Sequence, residues 1–191
     1  MAINILKKNK LTVFNRTFKK AQKLHKHGAK VAKSLKHAVS GADIIITMLS
    51  DDNAVLSIIN KKEFIENINS NSILIDMSST KPKTAIKINC LLKKKKIKFL
   101  DAPVSGGTKG AENASLAIMV GGNKSLFKKV KKILDLMGNA THVGPVGSGQ
   151  ISKLANQIIV GLQLEQLLRQ YTYAKKMVQI QINLSKLLKV V

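Results

Sequence analysis

A chain of 191 residues holds one large domain, or one domain and part of another, and its 45% hydrophobic residues suffice for an ordinary globular core. The formal net charge of +23 is extreme, yet nearly all of it is lysine: Arg16 and Arg169 are the only arginines, and aromatic residues make up 4%. That balance argues against a surface that reads nucleic-acid sequence, which draws on arginine and stacking aromatics. It leaves a non-catalytic basic protein, holding nucleic acid non-specifically and in a salt-sensitive way, as an alternative function.

The single cysteine, Cys90, excludes an internal disulfide and a cysteine metal cluster. His25, His27, His37 and His142 show no ligand spacing with carboxylates, so no metal site is expected. No apolar run approaches transmembrane length and no signal peptide is visible, so a cytoplasmic protein without a membrane role is expected.

In chain order, Lys10 to Asn15 reads as a short strand and Phe18 to Gly28 as a lysine-rich helix stopped by glycine. Ile44 to Leu49 is a continuous apolar run, the pattern of a buried parallel strand. Asp52 to Ile68 carries helical spacing, and Ser72 to Asp76 is a second buried strand. Pro82 to Lys95 predicts a helix with proline near its start, and Ile97 to Leu100 a strand. Leu116 to Val120 predicts a strand closed by Gly121 and Gly122, and Ser125 to Met137 an amphipathic helix. Strands alternating with helices imply right-handed crossovers and a doubly wound sheet.

Two segments carry chemistry. Asp101-Ala-Pro-Val-Ser-Gly-Gly107 sets a hydroxyl and two glycine backbones after an apolar run, a loop able to grip an anion. Lys153-Leu-Ala-Asn-Gln157 sets a lysine on a helical pattern with Asn156 one turn further on the same face. Taken alone, Lys153 is one more surface lysine in a lysine-rich chain. With Ile75-Asp-Met-Ser-Ser79, Met119-Val-Gly-Gly122 and Gly144-Pro-Val-Gly-Ser-Gly149, these motifs make a specific set.

On those motifs the chain, from Met1 to about Gly161, resembles the β-hydroxyacid dehydrogenases. These are the 3-hydroxyisobutyrate dehydrogenases and tartronate semialdehyde reductases of the 6-phosphogluconate dehydrogenase superfamily. The resemblance implies a Rossmann-like doubly wound α/β fold and hydride transfer between NAD(P) and a small 3-hydroxy acid or its semialdehyde. It implies that Ser105, Gly106 and Gly107 hold the substrate carboxylate, that Lys153 is the general acid/base, and that Asn156 helps orient substrate. Met48 and Leu49, with Ser78 and Ser79, would line the cofactor crevice at strand carboxyl ends. Asn15, Arg16 and Thr17 stand where an acidic residue would take the ribose of NAD. A guanidinium suits a 2′-phosphate instead, so NADP is favoured over NAD, the alternative being an exposed Arg16 with no say in cofactor choice.

Two departures from the family pattern set further expectations. The family opens with a strand and a G-x-G-x-x-G turn leading into a helix. Here Met1 to Leu6 reads as that helix already under way, so a sheet without its central first strand is expected, and with it the loss of most cofactor affinity.

Beyond Gly161 the pattern stops, and Gln163, Gln166, Arg169 and Gln170 interrupt an expected buried helix. Back-translating Leu162 to Arg169 as TTA CAA TTG GAG CAG TTG CTG AGG and reading from one nucleotide earlier gives Ile-Thr-Ile-Gly-Ala-Val-Ala-Glu, a small-residue core helix. The same shift through Val191 can restore a helix, a glycine stop and a second helix. The expected organisation is a dinucleotide-binding domain over 1–144 and, over 145–191, the start of a long helix with a remnant of a helical domain. Residues 162–191 would be frame-shifted and the chain an inactive fragment. In the family the helical domain closes the site, supplies a second lysine and makes most of the dimer contact.

Overall fold

In the computed structural model the apolar runs around Ile44, Ile73 and Ile97 become three parallel strands on one side of the six-stranded main sheet. The structure describes residues 1–187, and their side chains as far as 182; residues 188–191 of the segment read above as frame-shifted lie outside the described residues. Two compact units are present, Met1–Lys153 and Leu154–Val191.

The first unit begins with helix α1 (Ala2–Leu6), strand β1 (Thr12–Val13), helix α2 (Phe18–Gln22), a 3₁₀ turn at His25–His27, strand β2 (Lys30–Val31) and helix α3 (Leu35–Val39). Then come β3 (Ile44–Thr47), α4 (Asp52–Ile59), α5 (Lys62–Ile65), β4 (Ile73–Asp76), α6 (Pro82–Lys94) and β5 (Lys98–Asp101). The unit continues with β6 (Val104–Ser105), α7 (Gly107–Glu112), β7 (Leu116–Gly122), α8 (Lys124–Leu134) and β8 (Gly138–Gly144). Helix α9 (Ser148–Leu187) starts in this unit.

β3, β4 and β5 pair in parallel, with Thr47, Asp76 and Asp101 in register at their carboxyl ends. β7 then runs antiparallel to both β5 and β6 and parallel to β8. The result is a mixed sheet in which parallel pairing dominates. β1 and β2 pair with each other in a separate two-stranded sheet. Among the described residues no strand joins that pair to β3.

Side chains along a strand alternate faces, and both faces here are buried. Ile75, Leu100, Ile118 and Val120 face Leu126, Phe127, Val130 and Leu134 of α8. Leu74 and Phe99 face the other way, onto Val55 and Ile59 of α4 and Ala85, Ile88 and Leu92 of α6. Removing a side chain such as the wholly buried Leu74 costs roughly 2–5 kcal/mol at sites of this kind.

Several elements differ from the sequence reading for local reasons. The helix expected over Phe18 to Gly28 stops at Gln22: Thr17 makes no side-chain cap and its first turn carries no acid. Gly28, at φ 91°, closes the 3₁₀ turn that follows. The spacing over Asp52 to Ile68 is split into α4 and α5, which bring Val55, Ile59 and Phe64 into one core cluster. β7 runs on through Gly121 and ends at Gly122, so the glycine pair that was expected to close the strand forms its last two residues. β2, α3, β6, α7 and β8 were not predicted. β8 buries little beyond Ala140 and leaves Asn139, Thr141 and Val143 in solvent, so it lacks the continuous apolar signal of a central strand.

The second unit is the remainder of α9. Its apolar side chains, among them Ile158, Ile159, Leu162, Leu164, Leu167 and Leu168, are exposed. Glu165 and Arg169 form an i,i+4 ion pair at 2.6 Å and Lys175 lies over the Tyr171 ring, contacts a solvated helix surface makes. No helix among the described residues is long and apolar enough to cross a membrane.

Candidate functional site

The carboxyl ends of β3, β4 and β5 come together through buried hydrogen bonds, and these build the site. Asp76, fully buried at the end of β4, accepts the Thr47 hydroxyl at 2.8 Å and the Ser78 hydroxyl at 2.6 Å. The Ser78 hydroxyl in turn accepts the Leu49 N–H at 2.9 Å. The backbone after β3 is thereby fastened to the backbone after β4. Burial pushes the Asp76 carboxyl above the usual carboxylate range, against the pull of those hydroxyl donors.

Asp101, at the end of β5, reaches the start of α9. Its Oδ1 accepts the Gly147 N–H at 2.8 Å and its Oδ2 accepts the Gln150 N–H at 3.1 Å. No acidic residue lies in the first turn of α9, so a carboxylate from the sheet does the work of a local cap. A Cβ on Gly121 would lie 2.5 Å from Asp101 Oδ1, and one on Gly149 would lie 2.8 Å from Oδ2, which is why both positions are glycine. Burial raises the Asp101 carboxyl too, opposed by the backbone N–H donors.

Gln150 completes the network. It is 1% exposed. Its Oε1 accepts the Thr80 N–H at 3.0 Å and its Nε2 donates to the Ser78 carbonyl at 2.9 Å. Lys153, three residues on, is half-buried, and loss of water holds its ammonium below the ordinary lysine value.

The residues singled out in the sequence fall as follows. Met48, after β3, and Ser79, after β4, are exposed, and Leu49 is half-buried. The Ser78 hydroxyl is spent inside the fold, so Ser79 is the one turned to solvent. Ser105 ends β6, opposite Ala117, and is half-buried. Gly106 and Gly107 are exposed and hold φ values of 130° and 62°. A Cβ on Gly106 would meet Leu116 Cδ2 at 3.2 Å, so this turn needs glycine on both counts. The buried Asn4 side chain and the Met1 amino group, both on the α1 side, bind the Ala111 carbonyl of α7 and so brace the helix that follows.

Asn15, Arg16 and Thr17 are exposed after β1, and Asn15 Oδ1 accepts the Thr17 N–H at 2.8 Å in a local turn. Asn156 belongs to the second unit, where it is half-buried and its amide lies 3.5 Å from Gln157 Oε1.

The sequence reading missed Gln150, Thr80 and the capping role of Asp101. Thr80 Oγ1 and Asp76 Oδ2 are buried and make no hydrogen bond among the described residues. No glycine precedes Gly28, so a glycine-rich turn that could cradle a diphosphate is not among these residues. No group of three or more histidines, cysteines or carboxylates that could hold a metal occurs among the described residues.

A mixed α/β sheet with its polar residues gathered at strand carboxyl ends defines a dinucleotide-binding class of domain. The sequence profile of the NAD binding domain of 6-phosphogluconate dehydrogenase matches residues 1–147, and the chain belongs to that family.

Among curated proteins it is 40% identical to an uncharacterised oxidoreductase of Bacillus subtilis (strain 168), over 86% of this chain and 58% of that one. It is 36% identical to a probable mitochondrial 3-hydroxyisobutyrate dehydrogenase of Dictyostelium discoideum, over 85% of this chain and 52% of that one. Among solved structures it is similar to a Mycobacterium tuberculosis 3-hydroxyisobutyrate dehydrogenase with L-serine, at a TM-score of 0.86 and 29% identity, covering 92% of this chain and 60% of that one. The chain therefore spans between half and three-fifths of the length of these relatives.

Proposed function

We propose that this chain carries the nicotinamide and substrate-carboxylate part of an NAD(P)-dependent β-hydroxyacid dehydrogenase site. Its substrate class is a small 3-hydroxy acid or the corresponding semialdehyde. The observation that carries this reading is the buried network from Asp101 through Gln150 to Ser78 and Thr80. It ties the strand leading to the Ser105 loop, the crevice and the Lys153 helix turn into one rigid piece.

When bound, the nicotinamide gives or takes the hydride. Ser105 Oγ and the N–H groups of Gly106 and Gly107 hold the carboxylate. Lys153 Nζ gives a proton to the carbonyl oxygen in reduction and takes it from the alcohol in oxidation. Partial burial suits it to this, because a lysine that is less basic than usual releases its proton more readily. Asn156 orients the substrate. Arg16, exposed with Asn15 and Thr17 beside it, favours the 2′-phosphate of NADP.

The chain by itself does not turn over. Among the described residues the β1–β2 pair is separate from the main sheet and the apolar surface of α9 is uncovered. The reading of 162–191 as a shifted frame accounts for that surface.

The test pairs binding with turnover. A small 3-hydroxy acid titrated into the purified chain binds, and Ser105→Ala weakens that binding about tenfold, the worth of one hydrogen bond to a charged group. Mixed with NADPH and a small semialdehyde, the chain oxidises NADPH no faster than buffer. Binding that is indifferent to Ser105→Ala counts against the carboxylate assignment, and steady turnover counts against the inactive reading.

A further inference from the structure

Resting on that functional reading, we propose that Gln150 is a positioning residue. Its side chain locks the first turn of α9 to the backbone after β4, and so fixes where Lys153 stands relative to the nicotinamide crevice.

The argument is geometric. A glutamine amide has one acceptor and one donor end, and Gln150 uses both on a single strand end, Thr80 N–H at 3.0 Å and Ser78 carbonyl at 2.9 Å. Two bonds to backbone two residues apart leave the side chain little rotational freedom. Its own N–H is held at the same time by Asp101 Oδ2 at 3.1 Å, so both the backbone and the side chain of one residue are fixed from different strands. Lys153 is three residues further, one helical turn along and on the same side. A rotation of this turn that freed Gln150 would carry Lys153 with it. The hydroxyl of Thr80, buried and without a partner, sits on the residue whose N–H Gln150 holds.

The test uses the full chain without ligand. Lysines are labelled by reductive ¹³C-methylation, the Lys153 signal is identified by its loss in Lys153→Arg, and its titration midpoint is followed in Gln150→Met. This neutral, similarly sized side chain removes both hydrogen bonds and adds no charge. The midpoint is expected to move up toward ordinary lysine as the turn loosens into water, and Thr80 amide exchange to speed up about tenfold.

If Gln150→Met does not fold, Gln150→Asn, too short to span both partners, is read in the same way. A midpoint unchanged while Thr80 exchange quickens overturns the proposal, since Gln150 would then brace the loop alone. Because no nucleotide is present, absence of NADPH binding by the parent chain would bear on the functional reading only.

Discussion

At the scale of single residues, the site is organised by carboxylates and an amide that the chemistry itself does not use. Asp76 illustrates the electrostatic consequence. Its folded-state pKa is raised by burial, so its contribution to stability is full below the unfolded carboxylate value and is lost as pH rises through the folded value. Asp76→Asn removes that penalty while keeping an acceptor for Thr47 and Ser78. The variant is therefore expected to gain stability relative to the parent as pH rises from acid to neutral, measured by urea unfolding at several pH values. Gly121→Ala is expected to cost about 1–3 kcal/mol in the same measurement, as overpacking does. The added carbon would lie 2.5 Å from Asp101 Oδ1 and 2.8 Å from the Gly149 nitrogen.

Lys153 and the Ser105 to Gly107 turn were legible in the sequence because a motif of neighbouring residues announces them. Asp101 and Gln150 were not. Their partners lie 46 to 72 residues away, and nothing local distinguishes a buried capping aspartate from the first letter of a loop.

At the scale of elements, what the sequence reveals is amphipathic periodicity and continuous apolar runs, and these predicted β3, β4, β5, α6 and α8 to within a few residues. β1 was read as a strand over Lys10 to Asn15 and forms only at Thr12–Val13, whereas β2 and β6, at two residues each, and β8, with its alternating polar positions, carry too little apolar signal to be read that way.

α8 owes its start to Asn123, whose Oδ1 accepts the N–H groups of Ser125 and Leu126 at 2.9 and 3.1 Å. Asn123→Ala is expected to cost about 1 kcal/mol in chemical unfolding, the usual worth of such a cap. The β1–β2 ladder is short and joined to nothing wider, whereas Leu74 and Ile75 lie in the middle of β3–β4–β5. Hydrogen exchange should report this directly: the amides of Lys30 and Ala32, which donate to the carbonyls of Leu11 and Val13, are expected to exchange well before those of Leu74 and Ile75. Equal protection would mean that the two sheets unfold as one.

At the scale of the whole molecule, charge and exposed apolar surface govern behaviour outside the site. A net charge of +23 predicts adhesion to any polyanion at low salt that fades as salt is raised, without preference for sequence. Leu162, Leu167 and Tyr173 of α9 are each more than 60% exposed, and such a run promotes association. The frame reading makes a prediction about the gene as well. The coding DNA after Gly161 should read, one base away, as Ile-Thr-Ile-Gly-Ala-Val-Ala-Glu and onward without a stop. Codons incompatible with that reading would make Leu162 onward a native sequence of its own.

The most direct test of the central claim is an NMR titration of the full chain with NADPH and a small 3-hydroxy acid. The amide signals of Ser79, Thr80, Gly106, Gly107 and Lys153 are expected to shift together. They should saturate on the order of millimolar, about 4 kcal/mol of binding free energy. Shifts confined to other residues, or none at these five while the protein remains folded, would contradict the assignment of this chain as the nicotinamide and carboxylate part of a dehydrogenase site.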